Sequence, residues 1–203
     1  MASQAEMVET IRQYGVSNER VLQAINRVDR KKFVPILGQP SAYADGSLEI
    51  GFGQTISQPY TVARMGELLI GDSAFVASKS KILEIGTGSG WQTAVLSRLF
   101  KRVYSIERIQ KLADWAQNKI YKLGIKNVQI KVGDGKLGWP EYAPYQGIIV
   151  AADAGEVPLA LITQLAEGGR IVIPVKGDMQ RGTKVNGKIS WQSFGPFSFV
   201  PLV

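Results

Sequence analysis

The 203-residue chain contains no cysteine and no histidine. The first absence excludes disulfides, thiolate metal sites and cysteine nucleophiles. The second excludes Ser-His-Asp catalysis and a histidine general base. No apolar run approaches the ~20 residues that a bilayer-spanning helix needs. The opening stretch, MASQAEMVETIRQ, is polar and acidic where a secretory signal would be basic and then apolar. A cytoplasmic protein away from membranes is expected. There is no internal repeat and no low-complexity segment. With no side chain that titrates near neutrality in its unperturbed state, the chain suits chemistry done by positioning a reactive cofactor better than chemistry done by shuttling protons.

What is present is ordinary globular material, 45% hydrophobic and 20% charged. The length suffices for one α/β domain and is too short for two large ones. The formal charge is +7, from 24 basic and 17 acidic residues. The basic residues are dispersed, with Arg30-Lys31-Lys32 the only run of three, and no aromatic-basic repeat tracks a single strand. The charge therefore reads as a solubilising surface, and nucleic acid is not expected as a partner.

The first part of the chain, residues 1–77, reads as helical. Ser3 and Glu6 form a capping box, followed by Met7, Ile11 and Tyr14 at helical spacing and a stop at Gly15. Ser17 is placed to cap a second helix with Val21, Leu22, Ile25 and Val28 on its apolar face; Pro35 and Pro40 return the chain to loop. Ser57 with Pro59 opens a third helix through Val62, Met65, Leu68 and Leu69. From residue 78 the pattern changes to strand–helix alternation. Strands are predicted at 81–85, 102–106, 128–132, 147–151 and 170–174, with helices at 92–100, 109–123 and 158–166. This alternation implies a mostly parallel sheet with helices on both faces. Asn186-Gly187 predicts a type I′ hairpin turn near the end, and residues 197–203 read as a last strand.

The run Glu84-Ile85-Gly86-Thr87-Gly88-Ser89-Gly90 falls between a predicted strand and helix. Glycines at alternate positions let the backbone turn sharply and approach a ligand, and the helix that follows presents free N–H groups. Glu107 stands at the end of the second strand, where a carboxylate can accept from both ribose hydroxyls of a nucleoside, or else pair with Arg108 or Lys111. Asp134, in Gly133-Asp134-Gly135 after the third strand, can accept the exocyclic amine of adenine or simply close an Asx turn. Three consecutive strand ends carrying acid or glycine line one crevice. The spacing is G-x-G-x-G with Glu84 just ahead of it, not the G-x-G-x-x-G that seats a pyrophosphate. S-adenosylmethionine, with an adenosine, a cationic sulfonium and no phosphate, suits such an acidic lining.

These residues resemble the cofactor site of the protein-L-isoaspartate O-methyltransferases. So does the run Ile50-Gly-Phe-Gly-Gln-Thr-Ile-Ser-Gln-Pro59, the most specific segment. The stretches from Gly138 to Tyr145, Gly168 to Pro174 and Phe199 to Leu202 are similar to further family segments. The resemblance implies a Rossmann-like S-adenosylmethionine-dependent methyltransferase fold with a C-terminal antiparallel hairpin, no metal, and isoaspartyl proteins and peptides as substrate. It implies that Ser57 orients the substrate carboxylate, and that Gln54, Thr55, Ile56, Gly86, Glu107, Arg108, Asp134 and Gly135 pass near the cofactor. Glu84, Thr87, Gly88 and Ser89 are candidates from the loop itself. A carboxylate of pKa roughly 4 is already ionised at neutral pH and needs no general base. Departures from the family pattern at Phe52, Trp91, Asp153 and Lys176 bear on substrate preference, with Asp153 expected near the incoming carboxylate. A monomer is expected. A methyltransferase acting on RNA or a small molecule, and a binding module without activity, are the alternatives.

Overall fold

The computed structural model describes residues 2–71 and 79–203. The expected boundary at residues 77 and 78 lies outside the described residues. Helix α1 (Gln4–Gln13) starts on the capping box formed by Ser3 and Glu6, and buries Met7 and Ile11. Helix α2 (Glu19–Arg27) is capped by Asn18, whose side chain accepts from the N–H groups of Arg20 and Val21. Ser17, the residue expected there, is drawn elsewhere. Its backbone N–H and that of Asn18 both donate to Glu67 on helix α3 (Pro59–Ile70), at 2.8 and 2.9 Å. One carboxylate thus satisfies two donors at the start of α2 and docks it on α3.

Two short strands, β1 (Leu48–Gly51) and β2 (Gln54–Ile56), pair antiparallel just before α3. The sequence reading did not foresee them, because strands of four and three residues carry too little alternation to register. The tip of this hairpin, Gly51, Phe52 and Gly53, lies wholly in the left-handed region.

The main sheet has seven strands: β3 (Lys81–Ile85), β4 (Arg102–Glu107), β5 (Val128–Val132), β6 (Tyr145–Val150), β7 (Leu165–Val175), β8 (Asp178–Val185) and β9 (Lys188–Pro196). Their spatial order is β5-β4-β3-β6-β7-β8-β9, parallel as far as β7 and antiparallel beyond it. Helices α4 (Trp91–Leu99), α5 (Gln110–Lys122) and α6 (Leu159–Gln164) connect them. Strand periodicity divides the core in two. Ile82, Val103, Ile149 and Val172 face α1–α5, while Leu83, Tyr104, Ile148 and Ile171 face α6 and the aromatic segment around Trp139. The expected hairpin turn is present, with Asn186 and Gly187 both at positive φ, 51° and 76°.

The expected last strand at 197–203 does not form. Pro201 removes a ladder donor. The tail instead crosses the carboxyl ends of β6 and β7: Phe197 N–H donates to Gly177, Asp153 N–H to Val200, and Leu202 N–H to Asp153.

Candidate active site

Strands β4 and β5 run to one side of β3, and β6 and β7 to the other. The order reverses between β3 and β6, which opens a crevice at their carboxyl ends, where open α/β sheets bind ligands. Gly86 closes β3 with φ +90°, and a Cβ added there would stand 3.5 Å from that of Ala151, at the end of β6. The N–H groups of Gly86 and Thr87 donate to Ile106 at 2.8 and 3.3 Å, folding the loop back over β4. Gly88 and Gly90 are also in the left-handed region, and Gly90 leads directly into α4. A Cβ at Gly90 would lie 3.0 Å from that of Ala116, so α5 can pack closely only because a glycine is there.

Glu107 ends β4 nearly buried, at 5% exposure. One carboxylate oxygen accepts from Gly88 N–H at 2.8 Å and the other from Ile109 N–H at 2.9 Å. Each oxygen keeps a lone pair for a ligand. Glu107 borders the crevice with Gln54, Thr55, Ile56 and Ser57 on one side and Gly86, Thr87, Gly88 and Ser89 on the other. An adjoining hollow is lined by Gln54, Gly86 and Glu107 again, with Arg108 and Gly135. Gly135 is tight against the sheet: a Cβ there would come within 2.2 Å of Ile85, so only glycine lets the chain pass.

Two predicted ligands stand elsewhere. Glu84 is completely buried beneath the loop, in neither lining. It accepts from Thr93 Oγ1 at 2.5 Å, Ser105 Oγ at 2.6 Å and Gln92 Nε2 at 3.1 Å, joining β3, β4 and α4. The reason is pleat: Glu84 shares the face of Ile82, which points into the packed layer of helices. Burial raises its pKa to about 7 against the opposing hydrogen bonds from Ser105, Thr93 and Gln92, with the charge of Glu107 adding to the rise. Asp134 is exposed; its Oδ1 accepts from Lys136 N–H at 2.8 Å, the Asx-turn alternative, and it borders neither hollow. Asp153 is likewise turned aside, its Oδ1 taking the N–H of Gly177 at 3.2 Å, and it is not in the lining around Ser57.

Beside this crevice lies a larger cleft of about 860 Å³. Thr55, Ser57, Ala151 and Val200 line both. The rest of the cleft is aromatic and uncharged, with Tyr14, Tyr60, Phe194, Phe197 and Phe199 prominent. Tyr60 stacks on Phe197 at 6.1 Å between ring centroids and meets Tyr14 edge-on at 5.7 Å. Ser57 does not cap α3: Gln58 occupies the cap position, and the Ser57 hydroxyl has no hydrogen-bond partner among the described residues. It is left facing the cleft.

The lining fits S-adenosylmethionine. It offers a glycine cradle, a nearly buried carboxylate and a buried acceptor without a partner, Gln92 Oε1, while Arg108 is its single cation among the described residues. A pyrophosphate would meet Glu107 where it needs a positive charge. Sheet order, glycine turn and acidic strand end together define a Rossmann-like, S-adenosylmethionine-dependent methyltransferase fold.

The comparisons narrow the class. The family model described as Protein-L-isoaspartate(D-aspartate) O-methyltransferase (PCMT) matches residues 2–203, and the chain belongs to that family. It is 46% identical over 202 residues to a protein-L-isoaspartate O-methyltransferase of Pelodictyon phaeoclathratiforme, covering 98% of this chain and 90% of that one. It is 47% identical to one of Pseudomonas syringae pv. tomato, covering 97% and 93%. A solved protein-L-isoaspartate O-methyltransferase superposes with a TM-score of 0.86 at 28% identity, covering 98% of this chain and 65% of that longer one. A Plasmodium falciparum structure, described as a putative member in complex with S-adenosyl-L-homocysteine, gives 0.88 at 24% identity over 100% and 99%, a likeness of fold.

Sequence reasoning missed several lining residues. Residues 197–203 were read as a strand, although Pro201 was a visible signal against one. Arg30 was grouped with Lys31 and Lys32 as surface charge; it is fully buried, whereas both lysines are exposed.

Proposed function

We propose that this chain is a protein-L-isoaspartate O-methyltransferase: it moves a methyl group from S-adenosylmethionine to the α-carboxylate of L-isoaspartyl residues in damaged proteins, the ester then closing to a succinimide without the enzyme. The observation that carries the reading is the shared wall. Thr55, Ser57, Ala151 and Val200 border both the cofactor crevice and the cleft, so a group held in one faces a group held in the other.

S-adenosylmethionine bound in the crevice supplies an electrophilic methyl on a cationic sulfur. Glu107 and the backbone of Gly86 and Gly88 would hold its adenosine and amino-acid parts, with Gln54, Thr55, Ile56, Thr87, Ser89, Arg108 and Gly135 completing the enclosure. Ser57 donates its hydroxyl hydrogen to one oxygen of the substrate carboxylate and fixes the direction of the other. No base is required, because that carboxylate is ionised at neutral pH, and the rate gain comes from alignment, worth up to ~7–11 kcal/mol. The lining of the large cleft contains no lysine or arginine among the described residues, which suits an uncharged stretch of peptide; an RNA backbone needs cations there.

We take the enzyme to act as a monomer. No described helix is long and apolar enough to cross a membrane, and we place the enzyme in the cytoplasm. The test pairs an isoaspartyl peptide with its aspartyl twin and labelled S-adenosylmethionine. Label is expected in the first alone; equal label in both, or label in RNA instead, overturns the reading.

A further inference from the structure

Arg30 is the one arginine with no exposed surface. Burying a guanidinium costs several kcal/mol unless its donors are met; here the four terminal N–H groups are met, while the buried Nε has no partner among the described residues. Nη1 donates to Ala42 O at 2.8 Å and Ala44 O at 3.2 Å; Nη2 donates to Gly46 O at 2.8 Å and Ser57 O at 3.1 Å. Three of these acceptors belong to the loop before β1, and the fourth is the backbone carbonyl of Ser57 itself.

Two further contacts extend the arrangement on either side. Asp45, held in that same loop, accepts from Gln58 Nε2 at 2.6 Å and from Tyr60 N–H at 2.9 Å. It caps α3 from a distance, where Gln58 makes no cap bond and Pro59 has no N–H to offer. On the other flank the guanidinium lies 5.3 Å over the ring of Trp91, the first residue of α4 and part of the cofactor crevice. Trp91 is itself anchored, its indole N–H donating to Val28 O at 3.1 Å. Arg30 therefore touches the backbone of the residue facing the substrate and the side chain at the edge of the cofactor loop.

We propose that Arg30 is a positioning residue that fixes Ser57 relative to the cofactor crevice, with Asp45 holding the following turn. This rests on the methyltransferase reading and on the role given to Ser57. The guanidinium's planar fork is what the site requires: four acceptors in two pairs match its two terminal nitrogens, whereas a lysine offers three donors from one point.

The test is a double-mutant cycle on the full-length protein with Arg30→Lys, Ser57→Ala and the combination. Four quantities are measured for each: kcat and KM for an isoaspartyl peptide, affinity for S-adenosylhomocysteine by calorimetry, and affinity of the peptide for the protein loaded with S-adenosylhomocysteine. Arg30→Lys is expected to lower kcat about 10-fold, to weaken peptide binding, and to leave S-adenosylhomocysteine affinity within about 3-fold. In the Ser57→Ala background the same change should cost almost nothing, since its effect passes through Ser57. Equal losses in both backgrounds, or an unchanged kcat in Arg30→Lys, overturn the proposal. If Arg30→Lys does not fold, Asp45→Asn is carried through the same cycle, with the same two criteria. A wild-type protein that methylates isoaspartyl peptide, but whose Ser57→Ala variant is unimpaired, overturns this proposal while sparing the activity. A wild-type protein that does not methylate the peptide overturns the activity itself.

Discussion

The crevice beside β3 takes residues 86–89 and Glu107 from two neighbouring strand ends, and closes on them with residues 54–57, Ala151 and Val200. The cleft beside Ser57 is assembled from Tyr14, the stretch 47–61 and the tail 194–200, segments more than a hundred residues apart in the chain. Both surfaces gather distant segments, but the first is centred on a glycine turn and one carboxylate, while the second is dominated by aromatic side chains. The cofactor side thus depends on a few glycines and one carboxylate, where single changes cut deeply. The substrate side spreads its contacts over several rings, where single changes cost less.

The sharpest way to break that contrast is through the two glutamates that flank the glycine loop. Glu84 keeps its proton in the folded protein up to about pH 7, whereas an unfolded chain releases it near 4.5. Its contribution to stability is therefore full below about pH 4.5 and is lost as pH rises to about 7, by on the order of 3 kcal/mol. Urea unfolding across that window should show the decline. Glu84→Gln, neutral throughout, should flatten it, and an identical slope in the variant would remove Glu84 as its source.

Next in size is Glu107→Ala, expected to weaken S-adenosylhomocysteine about 100-fold through lost charge-assisted hydrogen bonds and a loosened Gly88. Calorimetry within a few-fold of wild type would contradict the site. Ser57→Ala should reduce kcat about 10-fold with cofactor affinity intact; a loss of affinity without a loss of kcat would move Ser57 to the cofactor side of the comparison. The smallest effect is expected from Phe197→Ala, which removes the ring stacked on Tyr60. Peptide KM should rise about 5-fold with little change in kcat, and no rise would show that the aromatic wall does not meet substrate.

The same contrast governs what could be read in advance. The parallel sheet, the glycine turn and the place of Glu107 at its strand end were legible because strand period, turn chemistry and topology are short-range signals. Glu84 lies beneath the loop because a motif says which residues cluster, while the pleat decides which of them face the helices. Asp134 took the Asx turn because Lys136 N–H lies two residues away and needs no ligand to satisfy it. Asn18 rather than Ser17 caps α2, its side chain accepting from Arg20 and Val21 while Glu67, about fifty residues on, takes the backbone N–H of both. Arg30 could not be told from Lys31 and Lys32, since its burial depends on four carbonyls gathered from residues 42, 44, 46 and 57. Such long-range satisfaction leaves no periodic trace.

The central claim is that a methyl donor and an isoaspartyl carboxylate meet at the junction of the two hollows bordered by Thr55, Ser57, Ala151 and Val200. Crystals grown with S-adenosylhomocysteine and an isoaspartyl peptide test it most directly. The adenosine should lie against Glu107 and Gly135, with the sulfur pointing at the peptide carboxylate through the junction of the two hollows and the Ser57 hydroxyl bonded to the carboxylate. A nucleoside lodged away from Glu107, or a carboxylate bound beyond reach of Ser57, would contradict it.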